Sequence, residues 1–159
     1  MRKLVFLAIL VLVIGGCQQA AIRQQIAEQQ ALLQQGKSEL EELLRQLRQA
    51  KEQAPLRPRL AGKIPVDLRD ITFAMMANGD KPTPEEREAI LQSAEISLSY
   101  QKKIIDLARR YNTSAILISL TDASFTQSNV AALELYQGQL TYGEYLTKMK
   151  QLMSAFQSD

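Results

Sequence analysis

The chain of 159 residues has no His, no Trp and a single Cys. The missing histidine removes the commonest general base and the commonest metal ligand. It also excludes a Ser-His-Asp triad. One cysteine excludes an internal disulfide and any multi-cysteine zinc site. Charge of one sign is equally scarce, with 19 Lys+Arg against 17 Asp+Glu, and Arg2 and Lys3 alone account for the surplus. That balance argues against a polybasic nucleic-acid surface. Long apolar runs are missing too, except for Leu4 to Ile14. What remains plentiful is dispersed apolar side chain, 46% of the chain, enough for a modest core in one small domain.

The Leu4–Ile14 run follows a short positive segment, Met1-Arg2-Lys3. A membrane-crossing helix needs about 20 apolar residues, so this run is too short to span and has the length of a secretory h-region. Ile14-Gly15-Gly16-Cys17 closes it, and this tetrapeptide resembles the lipobox of bacterial lipoproteins. The resemblance implies that residues 1–16 are a signal peptide that is removed. It further implies that Cys17 carries a diacylglycerol and, on its new amine, a further acyl chain such as palmitate. Several acyl chains at about 0.8 kcal/mol per buried methylene anchor stably where one short chain would not. Gln18 stands where an Asp would commonly retain such a protein at the inner membrane. The implied location is therefore the periplasmic face of the outer membrane. The absence of further cysteine suits that oxidising compartment.

Residues 17–54 combine the anchor with a heptad helix. They hold no Pro, one Gly, and abundant Gln, Glu, Leu, Arg and Ala, which are good helix formers. Ile22, Ile26, Gln29, Leu33, Gly36, Leu40, Leu43, Leu47, Ala50 and Ala54 recur in alternating steps of four and three, the period of a coiled-coil seam. Gln29 and Gly36 weaken its first half. A helix of about 35 residues reaches roughly 50 Å. Two readings of this seam stand side by side. Ile22, Ile26, Leu33, Leu40, Leu43 and Leu47 either pair with another copy or a partner's helix, or fold back onto the chain's own C-terminal part. Pro55 and Pro58 end the helix in both cases.

From residue 55 to 83 the pattern loses periodicity and gains Pro, Gly and charge, the composition of a linker. Its Arg57, Arg59, Lys63 and Arg69 read as solvated cations, with contact to anionic lipid head groups or a glycan polymer as the alternative, and Asp67, Asp70 and Asp80 lack the spacing of a calcium loop. Residues 84–159 read as a helical head. Thr83-Pro84-Glu85-Glu86 predicts a capped helix start. That helix runs to about Arg110, with Ile90, Leu91, Ala94, Leu98, Ile105 and Ala108 on one face and Tyr111-Asn112 as its stop. Residues 114–137 predict a second helix, with a candidate break between Asp122 and Ser128. Gly138 ends it. Thr141-Tyr142-Gly143-Glu144 repeats the capping-box pattern, and Tyr142, Tyr145, Met149, Leu152, Met153 and Phe156 mark the apolar face of a last helix. The expected fold class is all-α, a coiled-coil-like N-terminal helix followed by a small helical domain ending in a helical hairpin.

Leu133, Leu135, Gly138, Leu140, Thr141, Glu144, Tyr145, Lys148 and Leu152 resemble the short C-terminal hairpin module known as SHOCT, often appended to bacterial envelope proteins. Gly143 departs from the acidic residue usual in that turn. With Lys81-Pro82-Thr83-Pro84-Glu85-Glu86 included, residues 67–156 resemble a group of uncharacterised proteobacterial envelope lipoproteins, a likeness that names no activity.

No catalytic constellation emerges. Glu85, Glu86 and Glu88 lie in a first helical turn, where the helix dipole already accounts for acids. No glycine loop cradles a phosphate, no serine sits in a glycine-flanked turn, and no spacing suits a metal. The sequence therefore reads as a non-enzymatic, cofactor-free scaffold or adaptor. It would be tied to the membrane by its lipid and to itself or another envelope protein by its heptad helix, with no nucleic-acid role. The alternative is a ligand-binding head for a cell-wall fragment, lipid or peptide, held on a helical tether. Met75, Met76, Met149 and Met153 would line its groove, since Met adapts to varied shapes.

Overall fold

Every element of the described chain is helical. The computed structural model describes residues 2–155, with side chains from 23 to 154. Five α-helices follow in order: α1 Arg2–Glu52, α2 Phe73–Met76, α3 Pro84–Arg110, α4 Ala115–Tyr136 and α5 Tyr142–Ala155, with single 3-10 turns at Arg57–Leu60 and Leu68–Asp70. Among the described residues there is no strand. The chain divides into two units, Met1–Glu39 and Leu40–Asp159.

Within the first unit, α1 is supported by side-chain pairs one turn apart, Gln24 Nε2 donating to Glu28 at 3.0 Å and Gln35 Nε2 to Glu39 at 3.1 Å. All described side chains from 23 to 35 are exposed. No helix of the described residues is long and apolar enough to cross a membrane.

The second unit is built on a small core of Leu60, Ala89, Ile90, Leu135 and Tyr142, with Leu56, Ile64 and Tyr145 packed against it. Each large apolar side chain so buried contributes about 1.5–3 kcal/mol. One of these residues, Leu60, comes from the stretch whose composition suggests a linker. Residues 55–83 are in fact tied down along their length. The Leu56 amide donates to Gln92 Oε1 at 3.1 Å, Arg57 Nη2 to the Ile64 carbonyl at 2.6 Å, and Arg59 Nη1 to the Glu85 carbonyl at 3.0 Å. Proline and glycine break periodicity without preventing packing.

Helix boundaries follow local chemistry. Thr83 and Glu86 form a reciprocal capping box on α3, and Thr141 and Glu144 form another on α5. At the far end of α3, Asn112 takes a left-handed φ of 52°. The Thr113 amide then reaches the Ala108 carbonyl at 3.0 Å, closing a Schellman turn. Gly138, at φ 72°, does the same for α4, with the Gln139 amide on the Glu134 carbonyl at 2.9 Å.

Two expectations change. α4 runs unbroken through Asp122–Ser128. It contains neither Gly nor Pro, and its hydroxyls turn back onto its own carbonyls, Thr121 onto Leu117 at 2.8 Å and Thr126 onto Asp122 at 3.0 Å. The inward face of α3 keeps Ile90, Ala94, Ile105 and Ala108 of the expected apolar stripe but not its two leucines. Leu91 and Leu98 are exposed, while Ala89, Ile90, Ile105 and Leu107 are buried. Ser93, Ser97 and Gln101 face inward instead.

The first turn of α5 lies against the chain that follows α2. The Tyr142 amide donates to the Asp80 carbonyl at 3.0 Å and the Gly143 amide to the Asn78 carbonyl at 2.8 Å. A β-carbon at residue 143 would run into the Met76 carbonyl oxygen and come within 2.8 Å of the Asn78 oxygen. Gly143→Ala is therefore expected to lower the free energy of urea unfolding by about 3 kcal/mol, the upper end of ordinary overpacking. Gly79→Ala meets nothing within 4 Å and should stay within about 0.5 kcal/mol of the parent. Equal midpoints for the two variants would remove Gly143 from that role.

Candidate functional site

The sequence-derived site residues fall into separate places. Cys17 and Ile22 lie where no side chain is described. Ile26 and Leu33, in the first unit, are 50% and 72% exposed. Leu32, which the heptad pattern leaves off the seam, is also exposed. Leu40, Leu43 and Leu47 belong to the second unit and are half-buried there, as are Ala50 and Ala54. The seam is therefore one sequence pattern with two environments. Its later half is already occupied by the head, where Leu47 lines a partly open cavity and Arg48 Nη1 reaches Asp67 Oδ2 at 3.5 Å.

That cavity measures about 220 Å³ and lies wholly within the second unit, between the last turns of α1, residues 57–68, and helices α3, α4 and α5. Leu60, Ile90, Leu135 and Met149 supply its apolar wall. Ser93 and Ser97 add hydroxyls, and Gln101 and Asn129 pair their amides across α3 and α4 at 3.0 and 3.3 Å. Its only charged lining residues are Lys51 and Arg57. Burial, reinforced by the neighbouring Arg57, lowers the Lys51 ammonium pKa, while Asp67 opposes the shift. Burial likewise lowers that of Arg57, while Glu52 opposes the shift. The Tyr145 phenol also lines the cavity, and burial pushes it up to about 12.

Sequence reasoning missed this site because it looked for apolar stripes. The available signal was the triplet Ser93, Ser97 and Gln101 at steps of four along α3, a polar line where a core line was expected. Met149 does line the cavity, whereas Met75, Met76 and Met153 do not; the first two sit on α2, which packs against α5.

A second cluster surrounds Tyr142. Its ring is fully buried and its hydroxyl has no hydrogen-bond partner among the described residues. Lys63 Nζ lies 5.0 Å from the ring centroid and 2.6 Å from Glu86 Oε1. Burial and the negative Glu86 push the phenol well above its ordinary range. For Glu86, burial works to raise the pKa, but Lys63 and the Thr83 amide outweigh it and hold the carboxyl low. The contacts seen in this cluster are those of packing and capping. Among the described residues no group of three or more acidic, His or Cys side chains is placed to hold a metal.

Compared with family models, curated proteins and solved structures, the chain matches none.

The lowered pKa of Glu86 fixes a sign. A carboxylate stabilised in the fold contributes fully above its ordinary value of 4.5, and that contribution is lost as pH falls below it. Glu86→Gln keeps the capping hydrogen bond but not the charge. It should flatten the fall in stability on acidification below 4.5, read as thermal midpoint against pH. A variant whose acid slope equals the parent's would show that Lys63–Glu86 carries no such linkage.

Proposed function

We propose that this chain is a lipid-anchored envelope protein acting as a non-enzymatic scaffold or adaptor through helix–helix contacts. Its anchor would be acylated Cys17 and its location the periplasmic face of the outer membrane. The observation that carries the reading is the first unit. Ile26 and Leu33, seven residues apart on one helix face, are largely exposed on a stretch where all described side chains from 23 to 35 are exposed. Single exposed leucines are ordinary, but helices in proteins draw most of their stability from packing an apolar face. A seam-period pair left open is a surface for another helix. The halving of the seam sharpens the proposal, since Leu40, Leu43 and Leu47 are already engaged and the free surface lies before residue 40.

A second reading, a ligand-binding head on a helical tether, is favoured by the mixed polar and apolar cavity of the second unit.

Light scattering on residues 18–159 tests the first reading. The parent is expected to be oligomeric, and the double variant Ile26→Gln/Leu33→Gln monomeric with unchanged helix content. A monomeric parent that also captures no helix-bearing partner by crosslinking in envelope extract would remove the scaffold proposal. The anchor is tested separately by metabolic labelling. Incorporation of labelled palmitate should be lost in Cys17→Ser, and retained label would exclude Cys17 as the acylated residue.

A further inference from the structure

We propose that the cavity of the second unit is a binding site for a small anionic amphiphile, a carboxylate bearing a short apolar tail. This deepens the ligand-binding reading above and is independent of the exposed seam. Three observations converge on it.

The first is charge. Of the residues that line the cavity, Lys51 and Arg57 are charged and none is Asp or Glu. Lys51 makes no side-chain hydrogen bond or ion pair among the described residues. Asp67, the carboxylate that acts on it electrostatically, is engaged by Arg69 and Arg48. Arg57 donates one Nη2 bond to the Ile64 carbonyl. Asp67 and Glu52 act on the two cations from outside the cavity lining, but withdrawing a cation from water is unfavourable, and two beside one cavity are more so. A monoanion relieves both, a neutral ligand leaves them unpaired, and a cation is repelled.

The second is the apolar wall. Leu60, Ile90, Leu135 and Met149 present no polar atom to a ligand, so the remainder of the molecule must be apolar. The Ser93 hydroxyl and the Tyr145 phenol add neutral donors of the kind that orient a carboxylate.

The third is size. At about 220 Å³ the cavity exceeds the roughly 150 Å³ that accommodates benzene. It falls below the roughly 300 Å³ at which drug-sized sites begin. A short chain fits; a long-chain lipid or a cell-wall fragment of several sugars does not.

Calorimetric titration of residues 18–159 with octanoate, octanol and octylammonium, each below its micellar concentration, decides the matter. Octanoate is expected to saturate one site, octanol to bind at least tenfold more weakly, and octylammonium not to bind. Lys51→Met preserves volume and should weaken octanoate at least tenfold while leaving octanol unchanged, without lowering the thermal midpoint. Ser97→Leu, which fills space without touching either cation, should abolish both octanoate and octanol binding. Equal affinity for octanoate and octanol, an undiminished Lys51→Met variant, octanoate binding that survives Ser97→Leu, or no saturation would each overturn the proposal. Since these readouts are affinities and that of the seam is mass, either proposal can fail while the other stands.

Discussion

Two amides at the start of α5, those of Tyr142 and Gly143, donate to the carbonyls of Asp80 and Asn78. A helix N-terminus leaves four amides without an internal partner, and side chains or water usually satisfy them. Here Thr141 and Glu144 form the capping box while the backbone of residues 78–80 takes two more. Backbone can approach this closely only where a side chain is missing, so Gly143, inside the first turn of α5, is a steric requirement. The docking fixes Tyr142 in the middle of Leu60, Ala89, Ile90 and Leu135. It also brings Lys63, paired with Glu86, over the buried ring. Glu86 therefore serves three purposes at once, as capping acid of α3, ion-pair partner of Lys63 and neighbour of the Tyr142 phenol. The core of the second unit depends on this one backbone contact.

The parts of the fold legible in the sequence were those decided locally. Thr83-Pro84-Glu85-Glu86 and Thr141-Tyr142-Gly143-Glu144 carry their own hydrogen-bond partners within four residues. Both helix starts follow from them without any knowledge of tertiary structure. The stops at Asn112 and Gly138 are equally local, because each residue tolerates a left-handed φ. What was not legible depended on neighbours distant in sequence. The orientation of α3 is set by what it packs against, and an apolar-stripe reading placed Leu91 and Leu98 inward when they face out. Gly143 read as a departure from a hairpin pattern. Its reason is a carbonyl sixty-seven residues earlier in the chain, that of Met76. The stretch 55–83 has the composition of a linker, yet its Arg57 and Arg59 find backbone carbonyls and its Leu60 is buried, none of which periodicity can register.

The heptad shows the same limit in a different form. Sequence period states that a helix has an apolar seam; it does not state what covers it. Steps of four and three run from Ile22 to Ala54 with no change of rule. Structure divides them, leaving Ile26 and Leu33 open and Leu40, Leu43 and Leu47 half-buried. The later heptads form a wall of the head, and the earlier ones keep the geometry of a seam. Leu40 to Leu47 is also the richer part in leucine, and it is the part that the head occupies.

The cavity gains its meaning from the same comparison. A helix selected only for packing would turn an unbroken apolar line inward, as most core-facing helices do. α3 instead turns Ser93, Ser97 and Gln101 toward Lys51 and Arg57, across a space of about 220 Å³. The amide pair Gln101–Asn129 satisfies its own hydrogen bonds, so that polarity is explained by α3–α4 pairing. Ser93 and Lys51 have no such account within the fold. Ser97 Oγ returns to its own helix, at the Ser93 carbonyl, while Lys51 is drawn out of water with its pKa lowered. Departures from local consistency concentrate where a protein must do something besides fold. In this chain they concentrate around one cavity whose charge, wall and volume all describe the same small anion.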